Sequence, residues 1–213
     1  MSASSELCIL GAGGHGVVVA DAAQASGRWS AIAFFDDRWP DIAAVGDWPV
    51  RGTLAVLRER AARGATVVVA IGDNARRLML GRELAAAGAR LATVIHPFSA
   101  VSASAVLGPG TVLLAGAVVN PRARIGEAAI VNTRASVDHD CVIGDGVHLC
   151  PGTTLAGNVT VGERAWVGIG SSVIQGVTVG AASTVGAGAA VIRDVREATT
   201  VAGCPAKEIQ RDS

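Results

Sequence analysis

The stretch Ile125–Leu149, IGEAAIVNTRASVDHDCVIGDGVHL, decides the fold. Within it Ile125, Val131, Val137, Ile143 and Leu149 recur at six-residue steps. The same frame runs back through Val119, Leu113, Leu107, Val101 and Ile95. It runs forward through Leu155, Val161, Val167, Val173, Val179, Val185 and Val191. Every frame position is Ile, Leu or Val, which neither a helical nor a hairpin period produces. Four positions after the frame the residue is small, as at Ser99, Ala105, Thr111, Ala117, Ala123, Ala129, Ala135 and Cys141. Directly after the frame come Gly108, Gly126, Gly144, Gly162 and Gly180, eighteen residues apart. Hexads predict a parallel β-helix, and the longer glycine period closes three hexads into one triangular coil. One coil cannot bury its own face; stacking the coils does. The repeat predicts a β-helix over residues 95–196. A tail over residues 197–213 is expected to cover its open end.

Upstream, residues 1–94 change period. LCILGAG, AIAFFDD, TVVVAIGD and LATVI read as short buried strands. GVVVADAAQASG, TLAVLRERAARG and NARRLMLGRELAAAG read as helices between them, the first closed by Gly27. The alternation predicts an α/β domain, Rossmann-like, with a small parallel sheet.

Composition narrows the function classes. Half the residues are hydrophobic, and 18 basic residues balance 18 acidic ones. No basic excess exists to neutralise a phosphate backbone, so nucleic acid is not an expected partner. The opening MSASSE has neither a basic nor an apolar signal region, and no long apolar run suggests a membrane span. A cytoplasmic protein is expected. Cys8, Cys141, Cys150 and Cys204 form no CxxC pair and read as reduced thiols.

Two motifs carry chemistry. GAGGHG, residues 11–16, is a GxGxxG between a strand and a helix. Such a loop brings backbone N–H groups close to phosphate at a helix N-terminus. Asp36 and Asp37 end the next strand, where a ribose-binding acid often sits. With only one such unit in the chain, a nucleotide diphosphate fits better than NAD. The plain alternative is that the glycines serve only helix–strand packing.

The second motif is VDHDCVIGDGVH, residues 137–148. His139 stands at the third position of its hexad, facing outward, between Asp138 and Asp140. A carboxylate holding an imidazole favours its protonated form, the property a general base needs. His148 follows nine residues later, half a coil away. The two histidines of one chain should therefore face different sides of the triangle. A site using both requires a neighbouring subunit, most simply in a cyclic trimer. The alternatives are a solvated surface ion pair, or zinc, which needs at least three histidines if no other ligand serves. His96, the third candidate, lies more than two coils from His139, so no metal is expected.

The combination of GAGGHG, a hexapeptide prism containing NTRASVDHDCVIGDGVH, and a terminal VAGCPAK resembles a known family. It is similar to the bacterial nucleotide-amino-sugar N-acetyltransferases of the left-handed β-helix superfamily, the bacillosamine and perosamine enzymes, which are related to the sialic-acid O-acetyltransferases. The resemblance implies a left-handed β-helix and a homotrimer. It implies acetyl transfer from acetyl-CoA to the 4-amino group of a nucleotide-linked 4-amino-4,6-dideoxy-sugar, with UDP favoured and GDP-perosamine the other candidate. By position it implies His139 as base and Asp140 as its supporting acid. His148 of a neighbouring subunit, Asn132, Ile169 and Ala187 would meet acetyl-CoA, although Ala187 stands where glycine is frequent. Gly14, His15, Gly16, Asp36, Asp37 and Gly72 would hold the sugar nucleotide. Other readings are a sugar O-acetyltransferase with the same base, a metal-dependent hydrase of the trimeric β-helix type, and a nucleotide-binding scaffold.

Overall fold

The computed structural model describes residues 6–209, and the chain parts into two compact units between Pro97 and Phe98. The first unit opens with β1 (Glu6–Leu10), α1 (Gly14–Ser26) and β2 (Ala31–Phe35). A small antiparallel pair follows, β3 (Ala44–Val45) with β4 (Trp48–Pro49). Then come α2 (Leu54–Ala61), β5 (Thr66–Val69), α3 (Asn74–Ala86) and β6 (Arg90–Leu91). The sheet order is β2-β1-β5-β6, all parallel. Consecutive residues Leu7 to Leu10 are buried, as a strand covered on both faces requires. The chain moves from β1 to β2 on one side and then to β5 on the other. That reversal opens a crevice at the carboxyl ends of β1 and β5, where open α/β sheets bind ligands.

Two details differ from the sequence reading. LATVI is not one strand: Arg90–Leu91 pairs with Thr66–Val67, while Val94–Ile95 forms a separate two-residue strand. The sheet bonds stop at Ala92, whose N–H reaches the Val67 carbonyl, and the Thr93 carbonyl accepts from Arg28 instead. The β3–β4 hairpin, turning at Gly46 with φ 58°, lies in a segment the helix and strand patterns left unassigned.

The second unit is a three-walled parallel β-helix built of two-residue strands. The first wall stacks Val112–Leu113, Ile130–Val131, His148–Leu149, Trp166–Val167 and Thr184–Val185. The second stacks Ala100–Val101, Val118–Val119, Ser136–Val137, Thr154–Leu155, Ser172–Val173 and Ala190–Val191. The third stacks Val106–Leu107, Arg124–Ile125, Val142–Ile143, Thr160–Val161 and Thr178–Val179. Frame residues pair with frame residues throughout, and every one from Leu113 to Val191 is buried. Each such aliphatic side chain contributes about 1.5–3 kcal/mol on leaving water, before the entropy cost of ordering.

The glycine period has a steric cause. At the corner between the third and first walls, successive coils approach too closely for a side chain. A Cβ on Gly144 would stand 2.6 Å from the backbone nitrogen of Glu163, and one on Gly180 2.5 Å from that of Glu197. A second regularity escaped the sequence reading. Three positions after the frame the backbone is left-handed, filled by glycine at Gly146, Gly152 and Gly170, but also by Arg122, Arg134, Asp140 and Asn158.

The last coil is shortened. Val195 bridges Val179, and Val201 pairs with Val185, in each case two residues short of a full coil. Thr200–Ala202 thus adds a rung to the first wall, and Lys207–Glu208 folds back on it antiparallel. The wall runs past residue 196, where the six-residue frame ends in sequence. The stretch after it begins as a rung of the prism.

Candidate active site

His139 sits in the corner between the second and third walls, carried out of the prism because Val137 and Ile143 on either side point inward and are buried. Its side chain is 49% exposed. Its Nδ1 lies 2.7 Å from Asp140 Oδ2. An ionised carboxylate only accepts, so Nδ1 carries the proton and Nε2 is left as the acceptor nitrogen. Asp140 is itself clamped. Arg122, one coil below, donates Nε to Oδ1 and Nη2 to Oδ2, both at 2.6 Å. Arg122 first, and then His139, hold the Asp140 carboxyl far below the ordinary carboxylate range. On the other flank, Asp138 Oδ1 accepts from Asn120 Nδ2 at 2.9 Å and from the His139 N–H at 2.7 Å. Both contacts lower the Asp138 pKa. A shallow cavity of about 340 Å³ opens beside the pair, lined by Ser104, Val106, Arg122, Arg124, Asp140 and Val142.

His148 lies on the first wall, opposite that corner. Its ring meets Trp166 edge to face at 6.4 Å. Its Nε2 is 3.0 Å from Asn132 Nδ2. Asn132 Oδ1 accepts from the Thr133 N–H at 2.7 Å, which orients the amide so that its NH2 faces the imidazole. The His148 proton therefore sits on Nδ1. Asn132, Ile169 and Ala187 all fall in the corner between the first and second walls, with the Gly188 N–H on the Ile169 carbonyl. Ile169 is 58% exposed. The candidate residues of this unit thus form two groups at opposite edges of the second wall: Asn132, Ile169 and Ala187 with His148 beside them, and His139 with Asp140.

Cys141 and Cys150, the cysteines nearest these histidines in sequence, are buried. Cys141 donates to the Ala156 carbonyl, and burial pushes its thiol pKa up. Burial pushes Cys150 up to about 12. Among the described residues no group of three His, Cys, Asp or Glu could hold a metal ion.

In the first unit the candidate residues gather at the carboxyl ends of β1, β2 and β5. The helix α1 is preceded at its N-cap by Gly13, which has no side chain to cap it, so the backbone N–H groups of its first turn suit an anion. Gly16 serves packing: a Cβ there would lie 2.0 Å from the Gly11 carbonyl oxygen. Gly14 and Gly72 face open space instead. Asp36 Oδ2 accepts from the Ala12 N–H at 2.8 Å, and Arg38 grips both its oxygens. Asp37 Oδ1 accepts from the Leu54 N–H at 3.0 Å, at the start of α2. His15 is half-buried, and burial, aided by the Arg77 cation, lowers its pKa to about 4. Arg77 is fully buried and donates to the carbonyls of Ile71 and Gly72 and to Asn74 Oδ1.

The PglD N-terminal domain family matches residues 6–84, and the bacterial transferase hexapeptide (six repeats) family matches residues 122–157. The acetyltransferase domain of PglB from Neisseria gonorrhoeae FA1090, solved with acetyl coenzyme A, is 41% identical with a TM-score of 0.93. The match covers 97% of this chain and 100% of that one. The chain belongs to the PglB and PerB family of nucleotide-amino-sugar N-acetyltransferases. PerB from Caulobacter crescentus, solved with CoA and GDP-perosamine, is 42% identical with a TM-score of 0.90, covering 98% of this chain and 99% of that one. A curated relative, UDP-N-acetylbacillosamine N-acetyltransferase of Bacillus subtilis (strain 168), is 41% identical over 103 residues. That alignment spans 48% of each chain, about half the relative's length.

Sequence reasoning missed the partners of the candidate residues: Arg122, Asn120 and Trp166, and in the first unit Arg38 and Arg77. The first three were within reach. Each stands one coil, eighteen positions, from Asp140, Asp138 or His148, so the established period points to them. Arg38 and Arg77 carry no such periodic signal.

Proposed function

We propose that this protein is an acetyl-CoA-dependent N-acetyltransferase acting on the 4-amino group of a nucleotide-linked 4-amino-4,6-dideoxy-sugar. The observation that carries the reading is the His139–Asp140 pair, 2.7 Å apart on an exposed corner, which leaves Nε2 as the acceptor nitrogen. The likeness to relatives solved with acetyl-CoA and with GDP-perosamine supports it.

The reaction is a direct transfer. The amine nitrogen attacks the thioester carbonyl carbon, forming the C–N bond. His139 Nε2 takes the proton that the amine loses, and Asp140 stabilises the imidazolium. The tetrahedral intermediate collapses with cleavage of the C–S bond, and the imidazolium returns its proton to the departing CoA thiolate. No acyl-enzyme forms. His148 and Asn132, with Ile169 and Ala187 at the same corner, hold acetyl-CoA. Because that group lies at the far edge of the second wall, the base of one subunit meets the acetyl-CoA residues of another. A homotrimer with three sites between prisms is the assembly this requires.

The first unit takes the nucleotide. The α1 N-terminus receives the diphosphate, Gly14 and Gly72 leave it room, Asp36 and Asp37 lie toward the base and ribose, and His15 stays neutral beside it. Both co-substrates are those of a cytoplasmic enzyme, and the product enters surface-glycan or glycoprotein synthesis. The test is CoA thiol release with a panel of UDP- and GDP-linked 4-amino sugars, with sugar hydroxyl acceptors as the counter-arm. Turnover on an amino sugar is expected. Turnover confined to hydroxyl acceptors would reassign the chain to O-acetylation.

A further inference from the structure

We infer that Gly157 is a positioning residue for His139: its missing side chain is the seat of the imidazole, and this rests on the functional reading above. Gly157 stands one coil above His139, in the same corner column, with Pro121 below and Gln175 above. It is buried although it lies on an outer corner, while its neighbour Asn158 is exposed.

The reason for glycine here differs from that in the ladder. The ladder glycines exclude a Cβ because backbone stands in the way. A Cβ on Gly157 would have His139 Cε1 and Nε2 at 2.6 Å and Nδ1 at 3.2 Å as its three nearest atoms. It is also absent from the positive-φ positions, so strain does not demand glycine. What the Cβ would displace is a movable side chain. The fold can accept it by swinging the ring away, and the ring cannot swing while keeping its 2.7 Å bond to Asp140 Oδ2.

The Asn158 N–H bonds the His139 carbonyl at 2.9 Å and sets the coil spacing, and Asp138 holds the His139 N–H. These fix the backbone of His139, not its χ angles. Contact with the bare α-carbon above and the bond to Asp140 together set the ring. Misplacing a reacting group by about 1 Å costs roughly 10²-fold in rate.

The test is Gly157→Ala in the full-length protein. The variant keeps the main chain of residue 157, so any loss reads the added carbon. The expected result is an unchanged thermal transition and circular dichroism, kcat lower by about 10²-fold, and an unchanged KM for acetyl-CoA. A second readout needs no activity. The chain has four histidines, so imidazole nitrogen NMR, assigned with His139→Gln, resolves the His139 ring. The wild-type ring is expected in the Nδ1–H tautomer, and Gly157→Ala is expected to lose it. Loss of that tautomer with no acetyl transfer by the wild type would sink the functional reading and leave this inference standing. An unchanged tautomer, an unchanged kcat in an active enzyme, or failure of the variant to fold would overturn the inference. The last outcome would place the requirement in the backbone.

Discussion

Arg122 and Asp140 stand one coil apart, both in left-handed backbone, and lock through two parallel hydrogen bonds of 2.6 Å. The same Asp140 oxygen that takes Arg122 Nη2 takes His139 Nδ1. The carboxylate is thus aimed from below while it holds the imidazole. Arg122→Ala leaves Asp140 free to rotate. We expect kcat to fall by about 3–10-fold, a fraction of the roughly 10²-fold range for general-base loss. Thermal stability should barely move, since exposed ion pairs contribute little. Asp140→Asn, which can present an NH2 to the ring and favour the wrong tautomer, should cost more than Arg122→Ala. Steady-state kinetics on the two variants checks the order.

Asn132 is oriented by the Thr133 N–H and in turn fixes His148. Asn132→Ala removes that partner. With both residues proposed to hold acetyl-CoA, the KM for acetyl-CoA should rise by about 3–10-fold, the weight of a hydrogen bond of roughly 1 kcal/mol. The KM for the acceptor should stay within error. An acceptor-side effect alone would move Asn132 to the other substrate.

Gly144→Ala and Gly72→Ala separate two uses of glycine. The first drives a Cβ into the Glu163 nitrogen at 2.6 Å; the second meets open space. We expect Gly144→Ala to lose about 1–3 kcal/mol, the usual cost of overpacking. Gly72→Ala should melt like the wild type and weaken only the sugar nucleotide. Denaturant melts read the first, and the acceptor KM reads the second.

His15 makes stability depend on pH. Its folded pKa of about 4 lies below the ordinary 6.5, so between those values the unfolded chain binds more protons. Stability then falls as pH drops from 6.5 toward 4, and the contribution is gone below the folded pKa. His15→Gln should flatten that part of the curve relative to the wild type. Equal slopes in both proteins would show that His15 is not held neutral.

The prism was legible because its side-chain period is short and unbroken. Val137 and Ile143 face inward in sequence and in structure, and that alone turns His139 out. The nine-residue spacing also placed His148 on another wall. What stayed hidden came from contacts across coils or between elements. Arg122 lies eighteen positions from Asp140, where the coil period points only once it is applied across coils, and Gly157 lies eighteen from His139 with nothing local to mark it. Glycine at 144 and glycine at 157 look alike in the string; only the atom each would strike tells them apart. Two residues are missing between Val191 and Val195, which breaks the six-residue frame in sequence while the first wall gains a further rung at Thr200–Ala202. In the first unit, LATVI has a strand's composition, but its backbone bonds divide at Thr93.

Acetyl transfer to an amine with His139 as the base rests on that one imidazole. The most direct measurement is CoA release by the wild type and by His139→Ala with nucleotide-linked 4-amino sugars, both proteins checked for an unchanged thermal transition. Turnover by the wild type is expected, with a kcat at least about 10²-fold lower in the variant. Near-normal turnover by His139→Ala would contradict it.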